Sequence, residues 1–322
     1  MNFRPKAVGV LADAQFRALI ISQATFDLSI FMRSTANSWV VFELTQSQLW
    51  VGLVAGVRAI PILFFALAGG VISDRLGRRN VMIGAGTLIA ASSAITAVLI
   101  SSELLVAWHM MVVSVLGGIG AALYGPAFYA LIADIVRSDR LVHANGILSV
   151  AQTTGEMFGP VIVGFVIAAS GAHTVFWLVV GGNAVGLMLL LRVREPERPQ
   201  SDTSEQKPSF ASQFIEGLQY ARDTPPLLWL TLLVIAQNLF GVAIFALMPV
   251  YAQDVLEIGP TGFGLMGGVL GAGTLIGAVY VSMWGIHRRH AYVMFIMGIF
   301  WDSGMVVFGY SRSVPLSLGA LF

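Results

Sequence analysis

The sequence contains no cysteine and unusually little charge. Of its 322 residues, 11% are Asp, Glu, Lys or Arg and 57% are hydrophobic. Without cysteine, the chain has no disulfide framework, thiol nucleophile or thiolate metal site. A soluble domain carries about 25% charged residues because its surface faces water. The low charge therefore excludes a soluble enzyme, a nucleic-acid-binding protein and a disordered chain, and the net charge of +1 gives no indication of an acidic partner.

Motifs for catalysis and nucleotide binding are also missing. The sequence has no HExxH pair, no GxSxG elbow and no GxxxxGK[ST] loop. A channel would need a selectivity filter or a ring of charge, and the sequence contains neither. We therefore expect no enzymatic activity, no cofactor and no metal, and an intramembrane enzyme is a poorly supported alternative.

Long hydrophobic runs make up most of the chain. A helix needs about 20 mostly apolar residues to cross a hydrocarbon core about 30 Å thick. The sequence predicts nine such spans, at about 16–43, 48–72, 81–101, 105–133, 143–169, 173–191, 226–251, 261–285 and 291–310. A tenth run, Val314–Phe322, would rise only about 13–14 Å. We expect an all-α polytopic membrane protein whose sequence stops inside a helix.

Basic residues indicate how the spans are oriented. Loops on one side of the predicted spans hold 15 of the 18 Lys and Arg residues. Cytoplasmic loops carry such an excess of positive charge. The pattern predicts a multi-pass membrane protein with its N-terminus in the cytoplasm.

The longest polar segment divides the spans into two groups. Residues 193–225 begin with a stretch rich in Pro, Glu, Ser and Gln, which is typical of a flexible linker. Phe210, Phe214 and Leu218 then recur at helical spacing. They predict an amphipathic helix, either on the inner membrane surface or packed on the protein itself. We therefore predict a six-helix bundle at 1–192, a cytoplasmic linker, and a second bundle at 226–322 with three spans and part of a fourth.

The loop after the second span carries a glycine and charge pattern. Its residues are Gly70, Asp74, Arg75, Gly77, Arg78 and Arg79. The pattern resembles motif A of the major facilitator superfamily, GxxxDRxGRR. In that family the aspartate and arginines latch two helical bundles together at the cytoplasmic side. Positive-inside anchoring alone is the alternative interpretation.

The fifth span carries a second pattern of small residues. It consists of Gly146, Gly155, Gly159, Pro160 and Gly164. The spacing resembles motif C of the same superfamily, often called the antiporter motif. Two of the glycines, at 155 and 159, would let another helix approach closely, and the proline would bend the span. Generic small-residue packing is the alternative.

Further likeness points to one branch of the superfamily. Phe16–Arg17, Val41–Thr45 and Arg58–Pro61 resemble the drug-efflux branch that includes macrolide exporters and the enterobactin exporter. The resemblance implies a major facilitator fold with two helical bundles. It also implies a monomer in a bacterial inner membrane that exports an amphipathic small organic compound by alternating access, with proton antiport. A siderophore or metabolite exporter, or an uptake permease, is the alternative. The fourth span has no arginine near Gly118, where many proton-coupled exporters carry one, so the coupling stays open.

Four charges in the predicted spans of the first bundle are candidates for a site or for buried pairs, since charge within lipid is costly. They are the acids Asp27 and Glu156 and the bases Arg33 and Arg58. Either the four form a closed set of ion pairs, or at least one acid faces the central cavity and titrates. We take Asp27 as the first proton-coupling candidate and expect Glu156 to pair with one of the arginines.

Polar residues on the spans are candidates for the substrate cavity. The first span is the most polar, and Gln23 and Asp27 share one of its faces. A single aromatic residue in such a span is more often a packing residue than a substrate contact. The cavity candidates are Gln23, Asn37, Tyr124, Gln152, Gln237 and Asn238.

Overall fold

The computed structural model describes residues 13–195, 219–220, 222–225, 227–229, 231–232, 247–284 and 290–322. Residues 13–195 and 247–322 belong to one compact unit, and the region 196–246 belongs to a second. Phe210, Phe214 and Leu218, which predict the amphipathic helix, and most of the predicted span at 226–251 lie outside the described residues. The three-region division therefore stays a prediction.

Six long helices form the first part of the compact unit. They are α1 (Ala14–Thr45), α2 (Gln48–Leu76), α3 (Arg78–Ser101), α4 (Ala107–Ile135), α5 (Leu141–Ser170) and α6 (Ala172–Leu190). Short connections make successive helices run in opposite directions. We call the end of this bundle that holds Gly77 the motif A end, and the opposite end, with Ser102, the far end. The helices α1, α3, α4 and α6 pack side by side, α2 packs on α4, and α5 packs on α1.

Local sequence explains where several helices begin and end. Asp13 caps α1, since its side chain accepts a hydrogen bond from the Gln15 backbone N–H at 2.8 Å. Gln46 ends α1 in the left-handed conformation. Gly77 (φ +86°) and Gly171 (φ +83°) form the sharp turns after α2 and α5, which glycine adopts at little cost.

Three more helices follow in the compact unit. After a π-helical turn at Tyr251–Val255 come α7 (Gly259–Trp284), α8 (His290–Tyr310) and α9 (Val314–Leu321). Tyr251 ties the turn to the end of α8, because its hydroxyl lies 2.8 Å from the Gly309 carbonyl oxygen and 2.7 Å from that of Ser311. Helix α7 packs against α5.

The described helices confirm the all-α membrane fold. Six of them, α2 to α7, contain stretches that are long and apolar enough to cross a membrane. Helix α1 is longer still at 32 residues, but its polar and charged side chains lower its mean hydropathy. The apolar part of α8 is shorter, at Ile296–Tyr310. Helix α9 has eight residues, too few to span.

The core of the bundle lies toward the motif A end. It contains buried apolar side chains from α1, α3, α4 and α6, among them Phe16, Met82, Leu131 and Leu190. All four are at most 1% exposed. Burying side chains of this size contributes about 1.5–3 kcal/mol each in water, but packing dominates between helices in lipid. The core therefore holds the motif A ends of these helices in a defined arrangement.

Candidate transport site

Arg78 of motif A joins the ends of three helices. Its Nη1 lies 2.7 Å from Asp134 Oδ1 at the end of α4, and its Nη2 lies 3.4 Å from Asp74 Oδ1 at the end of α2. The same guanidinium also donates to the Ala130 carbonyl oxygen. Because Arg78 is the first residue of α3, these bonds connect α2, α3 and α4.

Arg79 and Glu195 connect α3 to α6. The Glu195 carboxylate accepts hydrogen bonds from the backbone N–H groups of Arg78 at 3.0 Å and Arg79 at 3.2 Å. In return, the Arg79 side chain donates to the carbonyl oxygens of Leu190 at 3.2 Å and Leu191 at 2.7 Å. An anion at a helix N-terminus and a cation at a helix C-terminus both complement the helix dipole. The start of the predicted linker is thus bonded to motif A.

The other members of motif A have different surroundings. Gly77 is required, because its φ is positive and a Cβ there would lie 3.1 Å from Glu195 Oε2. Gly70 has nothing within 4 Å of a built Cβ, so packing does not require glycine there. Arg75 is exposed at the end of α2.

Motif C glycines bring α5 into backbone contact with α1. A Cβ built at Gly155 would lie 3.0 Å from the Leu28 nitrogen and 3.2 Å from the carbonyl carbon of Asp27. One built at Gly159 would lie 2.9 Å from Phe31 Cβ. The expected close helix approach is confirmed, and its partner is the helix that carries Asp27.

The opposite face of α5 packs against α7. Gly164 and Gly264 face each other, with a Cβ built on either lying 2.8 Å from the other's Cα. Pro160 fills the gap at Gly267, where a Cβ would lie 2.5 Å from the proline Cβ. Gly146 has nothing within 4 Å of a built Cβ and is exposed. Motif C therefore makes α5 a shared wall between α1 and α7, with Gly146 outside both contacts.

Asp27 lies near the middle of α1 and is half-buried. Gln23, one helical turn earlier, donates from Nε2 to Asp27 Oδ1 at 2.8 Å. Gln23 is buried, and its own Oε1 has no hydrogen-bond partner among the described residues. The two candidates predicted to share a face of the first span are therefore bonded to each other.

The arginines do not pair with these acids. Arg33 donates to Ser92 Oγ at 3.4 Å. Among the residues that the structure describes, no ion pair joins Arg33 or Arg58 to Asp27 or Glu156. The closed set of buried pairs, including the expected partner for Glu156, is not formed there. The physical reason is helix geometry, because α1 directs Arg33 between α3 and α4, whereas α5 carries Glu156 on another side of α1.

The remaining cavity candidates are dispersed. Tyr124 is 5% exposed, and its ring centroid lies 4.9 Å from that of Phe26, so it has the packing role typical of an aromatic residue here. Asn37 is half-buried, with its Oδ1 lacking a hydrogen-bond partner among the described residues. Gln152 is exposed on α5. Gln237 and Asn238 lie outside the described residues.

Sequence reasoning missed two acids of the motif A network. Asp134 ends the fourth span and Glu195 follows the sixth, so each stands among ordinary interfacial polar residues. No local pattern ties either to Arg78, since their separations in the chain are large. A search for acids at the ends of spans on the arginine-rich side would have found both.

Known proteins resemble this chain in sequence and fold. A family model described as transmembrane secretion effector matches residues 6–294. Macrolide efflux protein A of Streptococcus pyogenes is 24% identical over 282 residues, which cover 84% of this chain and 69% of that protein. The multidrug efflux pump Tap of Mycolicibacterium fortuitum is 27% identical over 290 residues, covering 88% and 70%.

A solved structure confirms the fold. The inward-facing, unoccupied structure of a bacterial homolog of the human lysosomal transporter Spinster has a TM-score of 0.69 to this chain. The match covers 99% of this chain and 72% of the chain in that structure, and the two sequences are 15% identical. Its major facilitator fold is the one that the two motifs predicted. With its apolar helices, the chain is a multi-pass membrane transporter and not an enzyme, and it belongs to the transmembrane secretion effector family of the major facilitator superfamily.

Proposed function

We propose that this protein is an efflux pump of the bacterial plasma membrane. It exports an amphipathic small organic compound by alternating access, in exchange for protons, and works as a monomer with its N-terminus in the cytoplasm. The names of the relatives, a macrolide efflux protein and a multidrug efflux pump, support the substrate class. The excess of Lys and Arg in the loops on one side supports the orientation.

The contact of Asp27 with motif C is the observation that carries this proposal. The carboxylate accepts from Gln23 at 2.8 Å, and the Asp27 backbone lies against Gly155 of α5. No cation pairs with this carboxylate among the described residues. A carboxylate so placed within the membrane is a candidate for proton exchange. Proton binding would thus change the charge of Asp27 at the same depth in the membrane at which α1 contacts α5.

The second face of α5 extends this coupling to α7. Proton binding changes the hydration of Asp27, and the packing of α1 on α5 then differs between the two protonation states. Since Gly164 of α5 packs directly on Gly264 of α7, a shift of α5 moves the contact with α7. A rocking of two bundles about this wall is the alternating-access motion of secondary transporters.

Motif A supplies the gate at the cytoplasmic end in this proposal. The bonds of Arg78 and Arg79 hold four helix ends together. Such a rigid end can dock and release as one body while the substrate site near the middle of the membrane opens to alternate sides. Gln23 and Asp27 are the polar groups that we expect the substrate to meet on α1.

Proton flux in proteoliposomes tests the proposal. Vesicles that hold the purified protein receive an imposed pH gradient, and the movements of a macrolide and of protons are recorded together. We expect substrate to move against proton flow in the wild type. Asp27→Asn should abolish pH-driven transport and spare energy-independent substrate exchange, since the neutral amide still permits the conformational change.

Glu43→Gln is the matched control, because Glu43 is exposed near the end of the same helix. That variant should transport like the wild type. Normal pH-driven transport by Asp27→Asn would show that Asp27 is structural and that the proposed mechanism fails. Substrate movement without proton movement would exclude antiport, and movement in the direction of the proton flow would indicate an uptake permease.

A further inference from the structure

Two arginines on the first two helices have no acidic partner among the residues that the structure describes. Arg33 of α1 is 5% exposed. Arg58 of α2 has a buried Nε with no hydrogen-bond partner among the described residues. They do not touch motif A or the Asp27–Gln23 pair through any described bond.

Both side chains start at the same depth of the bundle. Arg33, Arg58, Ser92 and Gly117 each lie nine to twelve residues from the far end of their own helices. At 1.5 Å per residue, that places them about 14–18 Å along the helix axes. This is about half of a hydrocarbon core about 30 Å thick. The arginines therefore belong to one layer near the middle of the membrane.

Two adjacent glycines of α4 admit the two arginine segments. The Arg33 guanidinium lies directly against Gly117, where any side chain would collide with its Nη1. Gly118 receives the backbone of Arg58, with a built Cβ lying 2.6 Å from the Arg58 carbonyl oxygen. Because the glycines are neighbours in the chain, they hold α1 and α2 at one level of α4. The packing thus makes room for the Arg33 guanidinium and for the backbone of Arg58.

The charge of this layer is not balanced by described protein groups. The described hydrogen bond of Arg33 runs to Ser92 Oγ at 3.4 Å, which uses one of its five N–H donors. Arg58 starts at the same level of α4, beside Gly118, and like charges held at one depth of the membrane repel each other. The acids within predicted spans are Asp27, Glu43, Glu156 and Asp302, and among the described contacts none pairs with either arginine. Leaving the buried Arg33 and the half-buried Arg58 unpaired within the membrane is unfavourable.

We propose that Arg33 and Arg58 form an anion-binding site within the membrane, which takes a small inorganic anion such as chloride or the carboxylate of an organic solute. A guanidinium offers parallel N–H donors that suit a carboxylate and that also bind a single halide ion. The bound anion balances the repulsion between the two arginines and strengthens the packing of α1, α2 and α4. The site is separate from Asp27 and does not depend on proton antiport.

Thermal unfolding of the purified protein in detergent tests the site. The unfolding midpoint is measured at rising concentrations of chloride and, separately, of benzoate. The ionic strength is held constant with HEPES, a bulky anion, as the replacement. A ligand that binds only the folded state raises the midpoint as its concentration rises. We expect such a rise in the wild type, and it should be lost in Arg33→Gln and in Arg58→Gln. Arg312→Gln is the matched control, because Arg312 is exposed in a loop, and it should keep the full response.

The variants also give a result that general salt effects cannot imitate. Without binding anions, Arg33→Gln should unfold at the wild-type midpoint or above it, because the substitution removes the repulsion. With saturating anion, the wild type should unfold at a higher midpoint than Arg33→Gln. Arg58→Gln provides the same comparison if Arg33→Gln does not fold.

The two anions distinguish the sources of the ligand. A response to chloride alone supports an inorganic anion, and a response to benzoate alone supports the acidic group of an organic solute. Equilibrium dialysis with radiolabelled anion should then give one bound anion per chain, lost in Arg33→Gln and in Arg58→Gln. No response to either anion, or the same response in wild type and variants, would overturn the proposal.

Discussion

Glu195, which follows α6, caps the start of α3, and Arg79 of α3 caps the end of α6. The Glu195 carboxylate accepts from the first two backbone N–H groups of α3, and the Arg79 guanidinium donates to the Leu190 and Leu191 carbonyl oxygens at the end of α6. Each group satisfies backbone atoms that a helix terminus leaves unpaired. The Arg194 backbone N–H adds a bond to Gln15 Oε1 of α1 at 2.7 Å. The residues that follow α6 therefore tie three helix ends together.

Glu195→Gln should destabilise the protein. Glutamine keeps one oxygen acceptor but loses the charge that favours the N-terminus of α3, so we expect a loss of about 1–2 kcal/mol. Thermal unfolding in detergent micelles measures the change. The exposed Glu43→Gln removes the same charge from α1 and should leave the midpoint unchanged. An equal drop in both variants would mean that the two hydrogen bonds contribute nothing specific.

The two acids that contact Arg78 should contribute unequally. Asp134 lies 2.7 Å away with a side chain 21% exposed, and Asp74 lies 3.4 Å away with a side chain 50% exposed. We expect a coupling energy of about 1–3 kcal/mol for Arg78 with Asp134 and about 0.2–1 kcal/mol with Asp74. Double-mutant cycles of Arg78→Gln with Asp134→Asn and with Asp74→Asn, based on free energies of unfolding, give the two coupling energies. A larger coupling with Asp74 would contradict the geometry.

Gly159→Leu should block transport while the protein still inserts into the membrane. Its Cβ would lie 2.9 Å from Phe31 Cβ, so the larger side chain forces α5 away from α1, at a cost of about 1–3 kcal/mol or more. Gly146→Leu is the control within the same motif, because Gly146 has open space around it. Transport assays on membranes with matched protein levels make the comparison. Loss of transport in both variants would show that the close contact between α1 and α5 is not the cause.

Glu156→Gln should leave the protein level unchanged. An ion pair with Arg33 or Arg58 would make this substitution strongly destabilising, because it would leave a buried cation unpaired. No such pair is formed among the described residues, and Glu156 is half-buried on α5. Immunoblots of membranes and thermal unfolding measure the outcome. A marked loss of protein would show that Glu156 does neutralise one of the arginines.

Composition and periodicity alone determined the class of protein and much of its topology. Low charge and runs of about 20 apolar residues leave few folds other than a bundle of membrane helices. The spacings of motif A and motif C also indicated the superfamily, since each motif is a local pattern within one loop or one helix. The close helix approach predicted at Gly155 and Gly159 is confirmed for the same reason, because small residues four positions apart share one face of a helix.

Only the tertiary structure decided which residues meet. Arg33 faces Ser92 and Gly117 instead of an acid, and Arg78 and Arg79 contact Asp134 and Glu195, which are more than 50 residues away in the chain. The rotation of each helix about its axis and the pairing of helix ends depend on the packing of all the helices together. A sequence read one span at a time specifies neither, because side chains of equal polarity can face a cavity, a neighbouring helix or each other.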